Sequence, residues 1–551
     1  MRIRVRNLRL GLDEGEERLR ALAAARLGLP RDYVRRWQVV RRSVDARRSQ
    51  VVFNYTVDVE LPGEFELDPA LLASPEVSVL RPQEPDALQP GTRPLPWSPL
   101  VVGSGPAGLF CALRLARSGY RPLVIERGRD VQRRVGDVER FWTAGELDEE
   151  SNVQFGEGGA GTFSDGKLTT RIGDPRVETV LRTLVELGAP ADILYVNKPH
   201  VGTDLLRGVV TRLRREILAH GGRVCFQARL TDLRVHSGRL AGAVINDRLE
   251  LPCSVLVLAV GNSARDVYRL LARRGVSLLG KGFAVGARIE HPQDYLDRTQ
   301  YGEFAGHPRL GAADYHLTYQ DQESGRSLYT FCMCPGGYVI AGSSTSGTVV
   351  TNGMSYHRRD SGRGNSALVV TVGPPDWDED PLGGMALQEK LERQAFAAGG
   401  GSYRAPAQLA LDFVRETASA GLPAGAASYR PGVTPGNLWE VLPPAVCQVL
   451  QRGLQRFHRR MSGFLHPEAV LTGVETRTSA PLRIERDQSL CSVSVAGLYP
   501  CGEGAGYAGG IVSAAVDGLR VAESIIATYQ KPLDNLWLEA NHGIVDAAGL
   551  P

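Results

Sequence analysis

Leu100-Val-Val-Gly-Ser-Gly-Pro-Ala-Gly108 decides the fold: a short apolar run enters glycines at 103, 105 and 108, and Glu126 follows eighteen residues after the last of them. The run reads as a strand and the segment after it as a helix. Gly103 permits the tight turn, Gly105 lets backbone approach a pyrophosphate, and Gly108 lets the helix pack on the strand. Pro106 and Ala107 stand at the helix N-terminus, which faces the phosphates. The next strand, Arg121 to Glu126, ends in an acid able to accept from ribose hydroxyls, with Arg127 beside it. Glycines alone would make a turn. With strand, helix and distal acid in register, the segment reads as a dinucleotide-binding βαβ unit.

The remaining composition is that of an ordinary globular protein, with 43% hydrophobic and 23% charged residues and a net charge of +3. At 551 residues the chain is long enough for two to four domains. No run approaches the length of a membrane span, and the opening Met-Arg-Ile-Arg-Val-Arg alternates charge where a signal peptide would be apolar. Eight Cys without a single CxxC give neither a disulfide framework nor a metal-ligand spacing, so no metal is expected and a reducing cytoplasm fits.

Residues 1–82 read as a small basic α/β domain. Its strands lie over residues 2–6, 37–42 and 51–61, and a helix capped by Asp13 and Glu16 is ended by Gly28 and Pro30. Residues 1–50 hold 14 Arg against six acids. That basic face is read as a solvated or docking surface, with RNA or an acidic partner as the alternative. A Pro-rich linker spans 83–97. A nucleotide-binding domain is expected over 98–282 and again over 476–530, interrupted by an inserted mixed α+β domain at 283–475, with a tail at 531–551. Within it the spacing predicts a helix over 204–220, strands over 223–229, 231–236 and 240–246, and a buried parallel strand in Ser254–Gly261.

Four separated segments carry the chemistry: the 103–108 loop with Glu126, the glycine-dense stretch 156–166, the strand ending at Gly261, and Gly497–Ile511. Together they resemble the FAD-binding two-domain flavoproteins of the glutathione-reductase-like superfamily. Ser164–Leu168, Arg288–Pro292, Phe331–Gly337, Thr351–Ser355 and Arg477–Ser479 are similar to a bacterial family of FAD-dependent dehydrogenases. The resemblance implies an α/β protein with a discontinuous Rossmann-like FAD-binding domain, an inserted substrate domain and FAD as cofactor, and it implies the reaction only by class. It places Gly158, Gly159, Gly161, Thr162, Leu230, Gly261, Gly502 and Glu503 at the cofactor, Glu503 standing where many members have Asp. The helix beginning after Gly509 and Gly510, at Ile511, aims free N–H groups and a positive dipole end at the anionic edge of a reduced flavin. No second strand–GxGxxG–helix occurs, so a separate NAD(P) domain is not expected.

The candidates for catalysis are Lys167, Arg477, Cys332, Cys334 and His291. Lys167, beside the glycine stretch, is read as the cation for a flavin or substrate contact and is counted among the cofactor residues too. Arg477 is read as an anion holder or a surface ion pair. Cys332 and Cys334 are read as a redox or substrate-facing pair on one strand face, or as small buried hydrophobes. His291, with Arg288, is read as lining the cleft or as a structural hinge. The expected activity is a hydride or electron pair passed through flavin N5 to or from a small molecule or redox partner. An RNA-binding flavoprotein and a non-catalytic redox sensor are the alternatives.

Overall fold

The computed structural model describes residues 1–47, 50–62, 68–80 and 88–532. Most of the tail lies outside the described residues, as does the first third of the linker. The rest of the linker runs beside the last helix, where Gly91 donates to the Ile526 carbonyl and Arg93 to the Thr528 carbonyl.

The N-terminal domain is a four-stranded sheet in the spatial order Arg36–Asp45, Val52–Glu60, Arg2–Gly11, Val77–Leu80, every neighbouring pair antiparallel. Helices Arg18–Arg26 and Pro69–Ala73 fill the two crossovers, which is the split βαβ pattern. Strand alternation sends Phe53 and Tyr55 into the core. The outward residues of the same strand, Asp58 and Glu60, pair with Arg4 and Arg2. The expected Asp13–Glu16 cap does not form. Glu14 takes the Gly11 N–H, Glu16 accepts from the Tyr55 hydroxyl, and the helix begins at Arg18 without a side-chain cap.

This domain docks on both of the others. Arg42 donates its N–H to the Tyr195 carbonyl at 2.6 Å, and Arg309 donates to the Leu12 and Glu14 carbonyls while lying 4.9 Å over the Phe53 ring.

The nucleotide-binding sheet is parallel and five-stranded, in the order Leu498–Pro500, Leu256–Leu258, Leu100–Val102, Leu123–Ile125, Arg223–Cys225. Its first strand comes from beyond the inserted domain. The first three strands are fully buried, between helices Pro106–Arg117 and Ile511–Thr528 on one face and the antiparallel strands Leu230–His236 and Arg239–Ile245 with helix Arg265–Arg273 on the other. Helix Thr203–Ala219 lies one residue from its expected start. The antiparallel sheet beside it holds Leu230–His236 and Arg239–Ile245 and adds Leu249–Pro252, a strand the sequence pattern did not mark.

The inserted domain is a seven-stranded mixed sheet built from residues 318–475 together with Phe283–Pro292 at its centre. Helix Pro444–Arg460 covers it with a buried Val446, Leu450, Leu454 and Phe457 stripe.

Helices Pro106–Arg117 and Ile511–Thr528, from opposite ends of the domain, pack at Gly518, where a Cβ would overlap the Ala107 carbonyl. Gly518→Ala is therefore expected to lower stability by about 1–3 kcal/mol through overpacking, read as a lower midpoint in denaturant unfolding.

Candidate functional site

The four glycine-bearing segments converge on one cavity of 660 Å³, whose opposite wall is the inserted domain. Two helix N-termini open on it. Gly105 is the N-cap of Pro106–Arg117, and Gly510, at φ +120°, is the N-cap of Ile511–Thr528. Gly159 lies against Gly105 and Gly161 against Ile511, so the second glycine segment bridges the two helix ends.

Of the sequence-predicted cofactor residues, Gly103, Gly105, Pro106, Ala107, Glu126, Arg127, Gly159, Gly161, Lys167, Leu230, Gly261, Glu503, Gly509, Gly510 and Ile511 line the cavity. Gly108, Gly158, Thr162 and Gly502 stand behind it. A Cβ on Gly108 would overlap the Gly103 carbonyl, and one on Gly158 would overlap the Thr162 hydroxyl. Gly502, at φ +77°, donates its N–H to Asp517, which a fork of two bonds joins to Arg486. These four shape the cradle's supports. Asp517 was not marked in the sequence because its partner stands 31 residues away.

Glu126 does more than present an acid to a ribose. One oxygen accepts from the Ser104 N–H and hydroxyl at 2.9 and 2.8 Å, and the other from the N–H groups of Gly128 and Gly156 at 3.0 and 2.9 Å. Four donors fill the acceptor sites of an ionised carboxylate. Three loops are thereby tied at one point, and a ribose hydroxyl has to share that carboxylate with them. Arg127 stacks over Phe155 at 4.1 Å and pairs with Glu150 and Asp266.

Glu503 takes the Asn262 side-chain N–H at 2.7 Å. Burial pushes its carboxyl up to about 7, against the opposing effects of the Gly510 N–H, Lys281 and Asn262.

Lys167 reaches Asp165 at 3.2 Å and donates to the Cys334 sulfur at 3.6 Å. Among the described residues these take two of its three N–H groups and leave one for a ligand. Burial opposes the charge on Lys167, but Cys334 and Asp165 outweigh it and its pKa is raised. Asp165 also holds Arg359 in a fork, at 2.6 and 3.0 Å, and accepts from Ser355. Cys332 and Cys334 both line the cavity. Burial pushes the Cys332 thiol up to about 11, with Lys167 acting the other way.

Arg477 is not a free anion holder. It lines the cavity, but Nε and Nη2 donate to Glu392 at 3.1 and 3.0 Å and Nη1 donates to Ser263 and Ser344. Burial works against the charge on Glu392, yet Arg265 and Arg477 hold its pKa down to about 2. His291 does not line the cleft. It ends a central strand, is fully buried, packs 4.8 Å from the Phe464 ring and shares a hydrogen bond of 2.7 Å with the Phe464 carbonyl. Burial lowers its pKa to about 4, so it stays neutral there. Arg288 is likewise buried, paired with Glu475 at 2.9 Å.

The family model for FAD-dependent protein C-terminal domains matches residues 282–478, and one for an NAD(P)-binding Rossmann-like domain matches 101–141. A domain of unknown function matches 2–60. An uncharacterised protein of Clostridium beijerinckii is 47% identical over 534 residues, 97% of this chain and 100% of that one. The chain belongs to this family of FAD-dependent proteins. Among solved structures, glycine oxidase from Bacillus cereus overlaps 79% of this chain and 99% of its own, at 11% identity and a TM-score of 0.34. A geranylgeranyl bacteriochlorophyll reductase-like protein from Thermoplasma acidophilum overlaps 79% of this chain and 78% of its own, at 14% identity and 0.32. Both overlaps are too loose to bear on the chemistry.

The cavity fits the family's cofactor. A Cβ on Gly261, Gly509 or Gly510 would meet nothing within 4 Å, so bare backbone faces open space there, and two helix N-termini supply N–H groups for an anionic pyrophosphate. Bound FAD supplies redox chemistry at its isoalloxazine ring, and the chain's part is to hold and tune it.

Without FAD, the native state keeps the Glu503 proton up to about pH 7, whereas the unfolded chain releases it near 4.5. Stability contributed by this group therefore falls as pH rises across that window. Glu503→Gln is expected to remove that part of the fall, seen as a flatter melting temperature against pH than the parent protein shows.

Proposed function

We propose that this FAD-dependent protein is an oxidoreductase that passes a hydride or electron pair through flavin N5, to or from a small molecule held between the nucleotide domain and the inserted domain. One observation carries the reading: the dinucleotide loops and the inserted strands Ser327–Cys334 and Thr351–Met354 wall the same cavity. A cofactor held by the loops and a substrate held by the strands would then meet without a moving domain. Lys167 is the residue we place at the reacting end, with its remaining N–H turned to an electron-rich substrate group and Asp165 holding it in position.

For the N-terminal domain we favour docking over RNA binding. Its strand aromatics Phe53 and Tyr55 are buried where a stacking platform needs them outward, and Arg42 and Arg309 join it to the rest of the chain.

Gly105 has φ −73° and its nearest neighbour to an added Cβ is 3.9 Å away, so alanine fits the fold at this position. Gly105→Ala is expected to leave the melting temperature of the cofactor-free protein unchanged and to weaken FAD binding about tenfold or more, measured by flavin fluorescence quenching. Equal loss of fold and cofactor would assign Gly105 a structural role only. Purified protein showing no flavin absorption, and taking up no added FAD, would remove the oxidoreductase reading. Photoreduction followed by a screen of donors and acceptors separates an enzyme from a redox sensor.

A further inference from the structure

We propose that Cys332 and Cys334 form a redox-active dithiol that exchanges two electrons with the bound FAD, with Lys167 as its positioning cation. This rests on the oxidoreductase reading and specifies where electrons enter or leave the flavin.

Strict strand alternation would set Cys332 and Cys334 on one face at regular spacing. The strand Ser327–Cys334 breaks its register with Arg363–Val372 between Phe331 and Cys334, and Cys332 lies at φ +44°, a left-handed conformation that a residue with a Cβ adopts only when its surroundings hold it. Those surroundings are visible. The Arg288 guanidinium, clamped on Glu475, donates to the Cys332 carbonyl at 3.2 Å. The Cys334 sulfur folds back to 3.3 Å from that same carbonyl oxygen, which puts it over residue 332. The bulge thus brings the Cys334 sulfur back to the backbone of residue 332 on the cavity wall, and a buried ion pair keeps it in place.

The two sulfurs differ in setting. Cys332 is the one exposed cysteine among the described residues, and its exposure is to the cavity. Cys334 is buried, and its sulfur accepts from the Lys167 ammonium at 3.6 Å. In the oxidative direction the two S–H bonds break and one S–S bond forms. Two protons leave the sulfurs and the electron pair passes to FAD, which is the oxidant and ends in its two-electron-reduced form. In the reverse direction the same pair reduces the disulfide. The remaining cysteines are buried or half-buried, and among the described residues no cation donates to their sulfurs.

The test uses the air-oxidised holoprotein. Anaerobic titration with dithionite is expected to consume four electrons per FAD in the parent protein and two in Cys332→Ser and Cys334→Ser. Alkylation in denaturant without reductant, followed by mass mapping of the unmodified parent protein, should show the 332–334 peptide unalkylated and lighter by two hydrogens than its reduced form. This second measurement needs no variant to fold. Lys167→Met is expected to keep FAD bound and slow the second electron pair. A parent protein that binds FAD, takes up only two electrons and has both thiols fully alkylated overturns the dithiol and leaves the oxidoreductase reading standing. A protein that binds no FAD overturns both.

Discussion

The carboxylate of Glu126 is where the nucleotide domain is tied together. It accepts from the first glycine loop through Ser104, from its own following turn through Gly128, and from the second glycine segment through Gly156. An ionised carboxylate buried in this way is stable only with its acceptor sites filled by N–H and O–H donors, and four donors are supplied here. The geometry of the cavity follows from that knot. Gly159 comes to rest on Gly105, Gly161 reaches Ile511, and the segment continues to Asp165 and Lys167 at the inserted domain. The acid that announces a ribose site in sequence is also the piece that assembles the phosphate cradle.

A second layer of buried charge fixes the cavity's far wall. Arg265 and Arg477 share Glu392, Arg288 clamps Glu475, and Arg359 forks onto Asp165. Each joins segments distant in sequence, and breaking one partner of a buried pair leaves a charge without compensation. The wall is therefore held by pairs whose members cannot be exchanged singly. Lys167 differs because it sits between an acid and a thiol and keeps a donor for the cavity.

Legibility in the sequence followed the range of the interaction. The 103–108 loop, the parallel strand before Gly261 and the helix at Ile511 were readable because turn, strand and N-terminus are local properties of a few residues. Glu503 was placed by the family resemblance, at a turn where many members have Asp. His291 was misplaced because its position next to a domain boundary carries no information about the two strands, Arg363–Val372 and Val470–Glu475, that enclose the end of its own. Arg477 was readable as a cation, but not as one already held by Glu392 and two serines. Asn262, Asp517 and Arg359 went unmarked because each acts through a partner far along the chain.

The sequence by itself determined a glycine-built dinucleotide cradle, its FAD-dependent family character and the split of the nucleotide domain around an insertion. Those are set by backbone freedom at glycine and by apolar runs that only a buried parallel strand accommodates. The tertiary structure decided which side chains meet in the cavity. It turned the two N-terminal aromatics inward, locked Arg477, buried His291, and brought Lys167 to Cys334 beside a bulge that no alternation of residues foretells. Side-chain pairing across hundreds of residues depends on how sheets stack and which charges burial forces together, and that is settled only when the chain has packed.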